Sequence, residues 1–144
     1  MNESEVQQDP PPAPGLTAIL PCNDLDASER FYSRLGFSRP ESEKPAPGQD
    51  DTYRILSNNE GGHLHLTDAV KGWLVPGKNP FALYLYTERV DDLAAKFKNE
   101  ILGREKHPAD KEWGMYEFAL SDPDGTLVRI GWPTRLRNAG VPQA

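Results

Sequence analysis

The sequence predicts an α+β fold built from two similar halves. An apolar strand, an Asp-Leu pair and an amphipathic helix that ends at Leu-Gly occur in residues 16–36 and again, with a one-residue slip, in residues 81–103. Turn-rich segments and short strands with alternating apolar residues follow each helix. The predicted order is therefore strand, helix and three strands, twice over. The strands assigned after the helices lie at about residues 52–57, 63–67, 115–121 and 127–132.

The chain length and composition predict one domain. With 144 residues, 37% of them hydrophobic, the chain can bury one ordinary core but not two independent ones. Residues 1–15 are polar and then proline-rich, which predicts a flexible tail, and residues 134–144 are predicted to form a second, shorter tail. The single domain is predicted at residues 16–133, with modules at about 16–67 and 81–133.

The second half ends in a predicted β-hairpin. In the turn sequence Asp122-Pro123-Asp124-Gly125, proline presets φ, and Gly125 can adopt the positive φ that a three-residue loop with a bulge requires. Such a loop fixes the register of the two strands. The face directed toward the core then carries Phe118, Leu120, Val128 and Ile130. The opposite face carries Glu117, Ala119 and Arg129.

Two helices are predicted from apolar spacing and from their end signals. The first runs from about residue 27 to residue 35, with Asp24 or Asp26 as its N-cap. The second keeps helical spacing across residues 90–101 and ends at Gly103. Because the helices must cover one face of the sheet, a functional site is expected on the other, concave face.

Two stretches resemble one protein family closely. Residues 20–37, LPCNDLDASERFYSRLGF, and residues 112–131, EWGMYEFALSDPDGTLVRIG, resemble the glyoxalase / bleomycin resistance protein / dioxygenase superfamily, also called the vicinal oxygen chelate (VOC) superfamily. Trp113-Gly114, directly before the last hairpin, is similar to the pattern of the bleomycin resistance branch. The resemblance covers residues 16–133 and implies two βαβββ modules that form a curved mixed sheet, with the helices on its convex face.

Strand alternation predicts which side chains line the concave face. The side chains predicted to pack beneath the helices are Leu64, Leu66, Phe81, Leu83 and Leu85. Those predicted to line the concave face are His63, His65, Thr67, Ala82, Tyr84 and Tyr86.

Aromatic residues near this face suggest the shape of a ligand. Tyr84, Tyr86, Trp113 and Trp73 supply flat apolar surfaces with a polar edge, which suit the stacking of a planar molecule. Ordinary core or dimer contacts are the alternative role for these side chains. Trp73 lies in the loop of residues 68–80 and matches no position that the resemblance implies.

The resemblance also implies four metal-ligand positions, two in each module. They fall at Thr17, His65, Ala82 and Arg129. Only His65 can bind a metal ion, and an arginine at one of the four corners adds a fixed positive charge that repels a divalent cation. No metal and no other cofactor is therefore expected. The pair His63 and His65, two apart on one strand, leaves an atypical metal site as an alternative.

Glu117 and Arg129 are predicted to lie on adjacent strands of the same face. They form either a structural ion pair or a charged contact surface for a ligand.

No catalytic nucleophile is predicted. Cys22 lies shortly before Asp24 and Asp26 in the chain, and their negative field should raise the pKa of its thiol.

Charge and composition exclude several classes of partner. The formal net charge is −6, with acidic residues spread through the chain, which argues against nucleic acid and weakly favours a neutral or cationic ligand. The sequence contains no apolar run that reads as a signal peptide or a transmembrane segment, so no membrane partner and a cytoplasmic location are expected.

The function predicted from the sequence is metal-independent sequestration of a small cationic or planar molecule by a homodimer whose subunits together form two crevices. The predicted ligand-binding residues are His65, Tyr84, Tyr86, Trp113, Glu117 and Arg129, with no catalytic residue. One alternative is a metal-dependent VOC enzyme, a glyoxalase-type lyase or ring-cleaving dioxygenase, with an atypical site around His63 and His65. Another is a structural or regulatory partner module with a vestigial cavity.

Overall fold

A computed structural model describes residues 14–139 of the chain, so most of the predicted N-terminal tail and residues 140–144 of the C-terminal tail lie outside the described residues. Seven strands and three α-helices are assigned within this range. In chain order they are β1 (Ala18–Cys22), α1 (Leu25–Arg34), β2 (Tyr53–Ser57), β3 (His63–Asp68), β4 (Ala82–Tyr86), α2 (Val90–Lys96), β5 (Ala109–Asp110), β6 (Met115–Ser121), β7 (Leu127–Pro133) and α3 (Thr134–Ala139).

The strands form two separate mixed sheets with the same internal order. In the first module the order is β1-β3-β2, and in the second it is β4-β7-β6-β5. In each sheet the strand before the helix pairs in parallel with the last strand of its module, and the remaining pairs are antiparallel. An isolated bridge between Ser38 and Ser57 takes the place that β5 has in the second module. The internal repeat in the sequence therefore corresponds to a structural repeat.

The two modules share one hydrophobic core. Phe31 of α1 and Phe97 at the end of α2 lie with their ring centroids 5.7 Å apart, and Arg34 stacks over the Phe97 ring at 4.0 Å. Burying an apolar side chain of this size stabilises a fold by roughly 1.5–3 kcal/mol. The buried cluster combines residues from both modules, among them Leu20, Phe31, Tyr32, Leu35, Leu56, Leu66, Leu93, Phe97, Leu120 and Ile130.

The turn between β6 and β7 contacts the first module through buried polar groups. The Tyr32 hydroxyl donates to Asp122 (2.7 Å), the Ser28 hydroxyl donates to Asp124 (3.3 Å), and the backbone N–H of Asn23 also donates to Asp124 (3.2 Å). Both carboxylates are almost fully buried. Since buried carboxylates are costly unless they accept hydrogen bonds, this cluster fixes the turn against α1.

Gly125 makes the predicted loop possible in two ways. Its φ of 82° lies in the left-handed region, and an added Cβ would overlap the carbonyl oxygen of Pro76. The backbone N–H of Asp122 donates to the Thr126 carbonyl (3.0 Å), which closes a three-residue loop, as the sequence predicts. The buried face carries Phe118, Leu120, Val128 and Ile130, also as predicted.

Two helices and one residue differ from the sequence prediction. Helix α2 ends at Lys96 rather than near Gly103, because the chain turns toward β6, where the Leu102 N–H donates to the Ala119 carbonyl. Helix α3 occupies Thr134–Ala139, where a tail is predicted. Phe81 precedes β4 and is about half exposed (47%), so it does not pack beneath a helix.

Short contacts explain why a helix follows Pro133. The Thr134 N–H donates to the Gly114 carbonyl (2.9 Å), and its hydroxyl donates to Asp110 (2.8 Å). The Arg137 guanidinium stacks on the Tyr116 ring at 3.5 Å.

None of the helices within residues 14–139 is both long enough and apolar enough to cross a bilayer.

Candidate functional site

The predicted site residues occupy the outer faces of both sheets, on the side away from the shared core. His65 lies on β3 in the first sheet. Tyr84, Tyr86, Glu117 and Arg129 lie on strands of the second sheet, and Trp113 lies in the turn before β6. The structure brings Tyr84, Trp113, Glu117 and Arg129 into one hydrogen-bonded group.

Glu117 is the centre of this group. Its Oε1 atom accepts hydrogen bonds from the Tyr84 hydroxyl (2.9 Å) and the Trp113 indole N–H (3.0 Å), and its Oε2 atom accepts from Arg129 Nη1 (3.4 Å). The residue is only 4% exposed although it lies on the outer face of β6. A buried carboxylate with three donors is electrostatically satisfied and orients the three side chains around it.

Gly131 supplies the space that this arrangement needs. It pairs with Glu117 in the register of β6 and β7. A Cβ at this position would overlap the Tyr84 hydroxyl and lie 2.8 Å from Glu117 Cβ. Because no left-handed φ is recorded for this residue, the glycine serves close approach of side chains rather than backbone conformation.

The electrostatics keep Tyr84 protonated as a donor. Burial raises the pKa of Tyr84 well above its usual value, and the hydrogen bond to Glu117 and the charge of that carboxylate raise it further. Arg129 partly opposes this effect from the adjacent strand, where it pairs with Tyr84 in register. Its side chain is 45% exposed, so the guanidinium is accessible from solvent.

Trp113, Glu117 and Arg129 line a cavity of about 380 Å³, here called the second-module cavity. Its size is in the usual range for small-molecule sites, roughly 300–1,000 Å³. The other residues around it are Leu102, Gly103, Arg104, Glu105, His107, Lys111, Phe118 and Ala119.

A second cavity, here called the seam cavity, lies between β4 and the first module and measures about 370 Å³. Tyr84 and Tyr86 line it, with ring centroids 4.6 Å apart. Its other walls include Leu35, Phe37 and the hairpin of residues 58–64. Tyr84 therefore lines the seam cavity while its hydroxyl contacts a wall of the second-module cavity.

His65 lies apart from this group, on the first sheet. Its Nδ1 atom is 2.7 Å from the Tyr53 hydroxyl, and the two rings meet edge to face at 5.3 Å. His63, two residues away on β3, is exposed and lines the seam cavity instead. Within residues 14–139, no group of three His, Cys, Asp or Glu side chains is placed to share a metal ion.

Two residues of the site are missing from the sequence prediction. Tyr53, the partner of His65, is recognisable only as an alternating strand residue on the same face as Ile55. Gly131 carries a stronger signal, because an isolated glycine inside a strand often marks close approach by another group.

The pKa of the Cys22 thiol is raised, as the sequence predicts, but the cause differs from the predicted one. Burial is the main factor that raises the pKa of its thiol to about 11, and Asp124 and Asp122 add to the effect. The sequence predicts this negative field from Asp24 and Asp26 instead. The residues responsible are distant in sequence and come close only through the turn between β6 and β7.

The comparison with protein families supports the architecture directly. The model of the Glyoxalase/Bleomycin resistance protein/Dioxygenase superfamily matches residues 16–130. The chain belongs to this superfamily. Among curated VOC relatives, a bleomycin resistance protein from Klebsiella pneumoniae is 33% identical over 125 residues, which cover 79% of this chain and 88% of the relative.

Solved structures agree with this VOC assignment. A bleomycin-binding protein crystallised in complex with bleomycin is 28% identical, with a TM-score of 0.61 over 83% of this chain and 98% of the other. A bleomycin resistance determinant encoded on the transposon Tn5 is 26% identical, with a TM-score of 0.62 over 84% and 98%. The chain therefore has the α+β fold of the bleomycin resistance and glyoxalase proteins, as its sequence predicts.

Proposed function

We propose that this VOC protein is a metal-independent binding protein that sequesters a small planar molecule, such as an antibiotic, in the cytoplasm. It acts as a homodimer in this proposal, and the ligand site is formed by His65, Tyr84, Tyr86, Trp113, Glu117 and Arg129. The negative net charge favours a ligand that is neutral or cationic overall.

The observation that carries the proposal is the environment of Arg129. This residue occupies a position that the family resemblance assigns to a metal ligand. Its guanidinium lies 3.4 Å from the buried carboxylate of Glu117, so the acidic group nearest to that position already has a cationic partner. A divalent cation placed there would meet a permanent positive charge.

The aromatic surfaces support a planar ligand. Trp113 is 57% exposed, yet its indole N–H is fixed by Glu117. A ring held in this way offers a flat face for stacking at little cost in conformational entropy. The relatives named for bleomycin binding and bleomycin resistance make an antibiotic of that kind the first ligand to test.

The homodimer is supported by the outer face of the first sheet. Ile19, Tyr53 and Ile55 are each about half exposed on this face, around His65. Neighbouring apolar side chains of this size on a soluble protein are typical of a protein interface. In the proposed dimer, a second copy covers this face and brings His65 close to the second-module cavity of its partner.

Binding of metal-free bleomycin, measured by isothermal titration calorimetry, tests the proposal. We expect saturable binding, and we expect Trp113→Ala to weaken it about tenfold or more, since a buried aromatic contact of this kind contributes roughly 2 kcal/mol. Trp73→Ala is the matched control, because Trp73 is 81% exposed and lines neither cavity described above. Equal affinities of the two variants would contradict the proposed site.

An enzymatic function is the second candidate, and one contact favours it. The hydrogen bond between the Tyr53 hydroxyl and Nδ1 of His65 fixes the His65 ring, as a general base or a metal ligand would require. Elemental mass spectrometry of protein purified without chelator or affinity metal distinguishes the two functions. Substoichiometric metal is expected for a binding protein. About one ion per chain, lost in His65→Ala, would make the metal-dependent enzyme the leading interpretation.

A further inference from the structure

The Glu117 carboxylate is poorly accessible to a ligand in the second-module cavity. Glu117 Oε1 already accepts two hydrogen bonds, Oε2 accepts one, and the residue is only 4% exposed. Because the carboxylate is this deeply buried, a cationic ligand would have to compete for its oxygens with the three donors that already hold it, Tyr84, Trp113 and Arg129. Glu117 therefore acts on the ligand through the side chains that it orients.

Arg129 is a charged group that a ligand in this cavity can reach. Its guanidinium has five N–H donors, and within residues 14–139 it makes one hydrogen bond, the long contact of 3.4 Å to Glu117. The side chain is 45% exposed and lines the second-module cavity. Unused donors of this kind are suited to a bidentate contact with a planar anion such as a carboxylate.

The charged side chains around the second-module cavity are net positive, whereas the chain as a whole is net negative. Three basic side chains, Arg104, Lys111 and Arg129, line it together with two carboxylates, Glu105 and Glu117. His107 lies beside them. Because salt screens charges beyond about 8–10 Å, these nearby groups decide the local preference more strongly than the net charge of −6.

We propose that the second-module cavity selects a planar aromatic ligand that carries a carboxylate, with Trp113 stacking on the ring and Arg129 binding the anionic group. This inference rests on the proposed binding function and adds the ligand's chemical class. A ligand with one such carboxylate can still be neutral or cationic overall if it carries amines elsewhere.

Two probes of the same shape test the assignment. 2-Naphthoate carries the carboxylate, and 2-naphthamide has the same ring with a neutral group in its place. Each is titrated into uniformly ¹⁵N-labelled protein at pH 7 and fixed ionic strength, while the Trp113 indole N–H signal is followed by NMR. We expect 2-naphthoate to bind about tenfold more tightly than 2-naphthamide, because a charge-assisted hydrogen bond is stronger than a neutral one.

Variants then locate the selectivity. Arg129→Gln should reduce the preference for 2-naphthoate to less than twofold. Because this variant leaves Glu117 buried without its cation, the double variant Arg129→Gln with Glu117→Gln, which keeps the pair neutral, is measured as well. Lys98→Gln is the charge-matched control, since Lys98 is exposed and does not line the cavity, and it should keep the preference of the natural chain.

The outcomes separate this inference from the proposed function. Equal affinity for the two probes, no saturable shift of Trp113 with either, or a preference that persists in both Arg129 variants would overturn the carboxylate assignment. Bleomycin titration is independent of these probes, so antibiotic binding could still be observed in that case. Conversely, selective 2-naphthoate binding without any antibiotic binding would support the carboxylate site and count against the proposed ligand.

Discussion

Gly131 determines whether the side chains around Glu117 can occupy their places. We expect Gly131→Ala to lower the free energy of unfolding by about 1–3 kcal/mol, because the added methyl group overlaps the Tyr84 hydroxyl and crowds Glu117 Cβ and the Tyr116 carbonyl. Urea denaturation measures this change. The Trp113 indole N–H signal should shift as well, since Trp113 shares the Glu117 oxygen with Tyr84.

Gly77→Ala is the control at the residue scale. Gly77 lies in the loop between the modules, with no atom near the position of an added Cβ and no left-handed φ. Its substitution should change the free energy of unfolding by less than about 0.5 kcal/mol. If Gly131→Ala were as stable as Gly77→Ala, with an unchanged Trp113 signal, the close approach of Tyr84 would not be required for the fold.

At the scale of elements, the turn between β6 and β7 depends on hydroxyl donors from α1. Ser28 is fully buried and donates to Asp124, whereas Ser33 on the same helix is exposed and donates to the Arg30 carbonyl. We expect Ser28→Ala to be less stable than Ser33→Ala by about 1–2 kcal/mol, because a buried carboxylate loses a donor. Alanine raises helix propensity equally at both positions, so the comparison cancels that gain.

Thermal and urea unfolding of these two serine variants measure the difference. Equal stabilities would mean that water or a neighbouring group replaces the Ser28 hydroxyl, and that the contact between the turn and α1 does not depend on it. A change confined to Ser28→Ala would instead show that the polar cluster stabilises the packing of the two modules.

Local sequence patterns predict most elements but not every helix end. Of the two predicted N-cap candidates, Asp24 and Asp26, the structure selects Asp24, whose side chain accepts from the Ala27 N–H at 3.1 Å, and the hairpin register is confirmed. The predicted extension of α2 is wrong. Phe97 and Ile101 keep helical spacing and are both buried, but apolar spacing cannot distinguish a buried turn from a further helical turn.

At the scale of the molecule, alternation predicts which face a residue occupies but not which faces meet. Tyr84, Glu117 and Arg129 lie together because neighbouring strands of one sheet carry them, and the turn before β6 adds Trp113. His65 lies on the other sheet, with Tyr53 as its partner. The distance between the two groups depends on how the modules, or two copies of the chain, pack together, and no local pattern encodes that packing.

The proposed dimer leads to a prediction about mass in solution. Ile55 is 54% exposed on the outer face of the first sheet, beside His65 in the strand register. If a second copy covers this face, Ile55→Glu buries a charge without a partner, and such a charge costs several kcal/mol. The natural chain should therefore sediment with twice the mass of one chain, and the variant with the mass of a single chain.

Val70→Glu provides the matched comparison, because Val70 is equally exposed, at 54%, but lies in the loop after β3. It should sediment as the natural chain does. If the crevice needs both copies, Ile55→Glu should also lose bleomycin binding while its isolated chains remain folded. A natural chain that sediments as a single copy at about 100 µM, where a dimer with a micromolar Kd would be almost fully formed, would contradict the dimer. Binding would then have to arise from the second-module cavity alone.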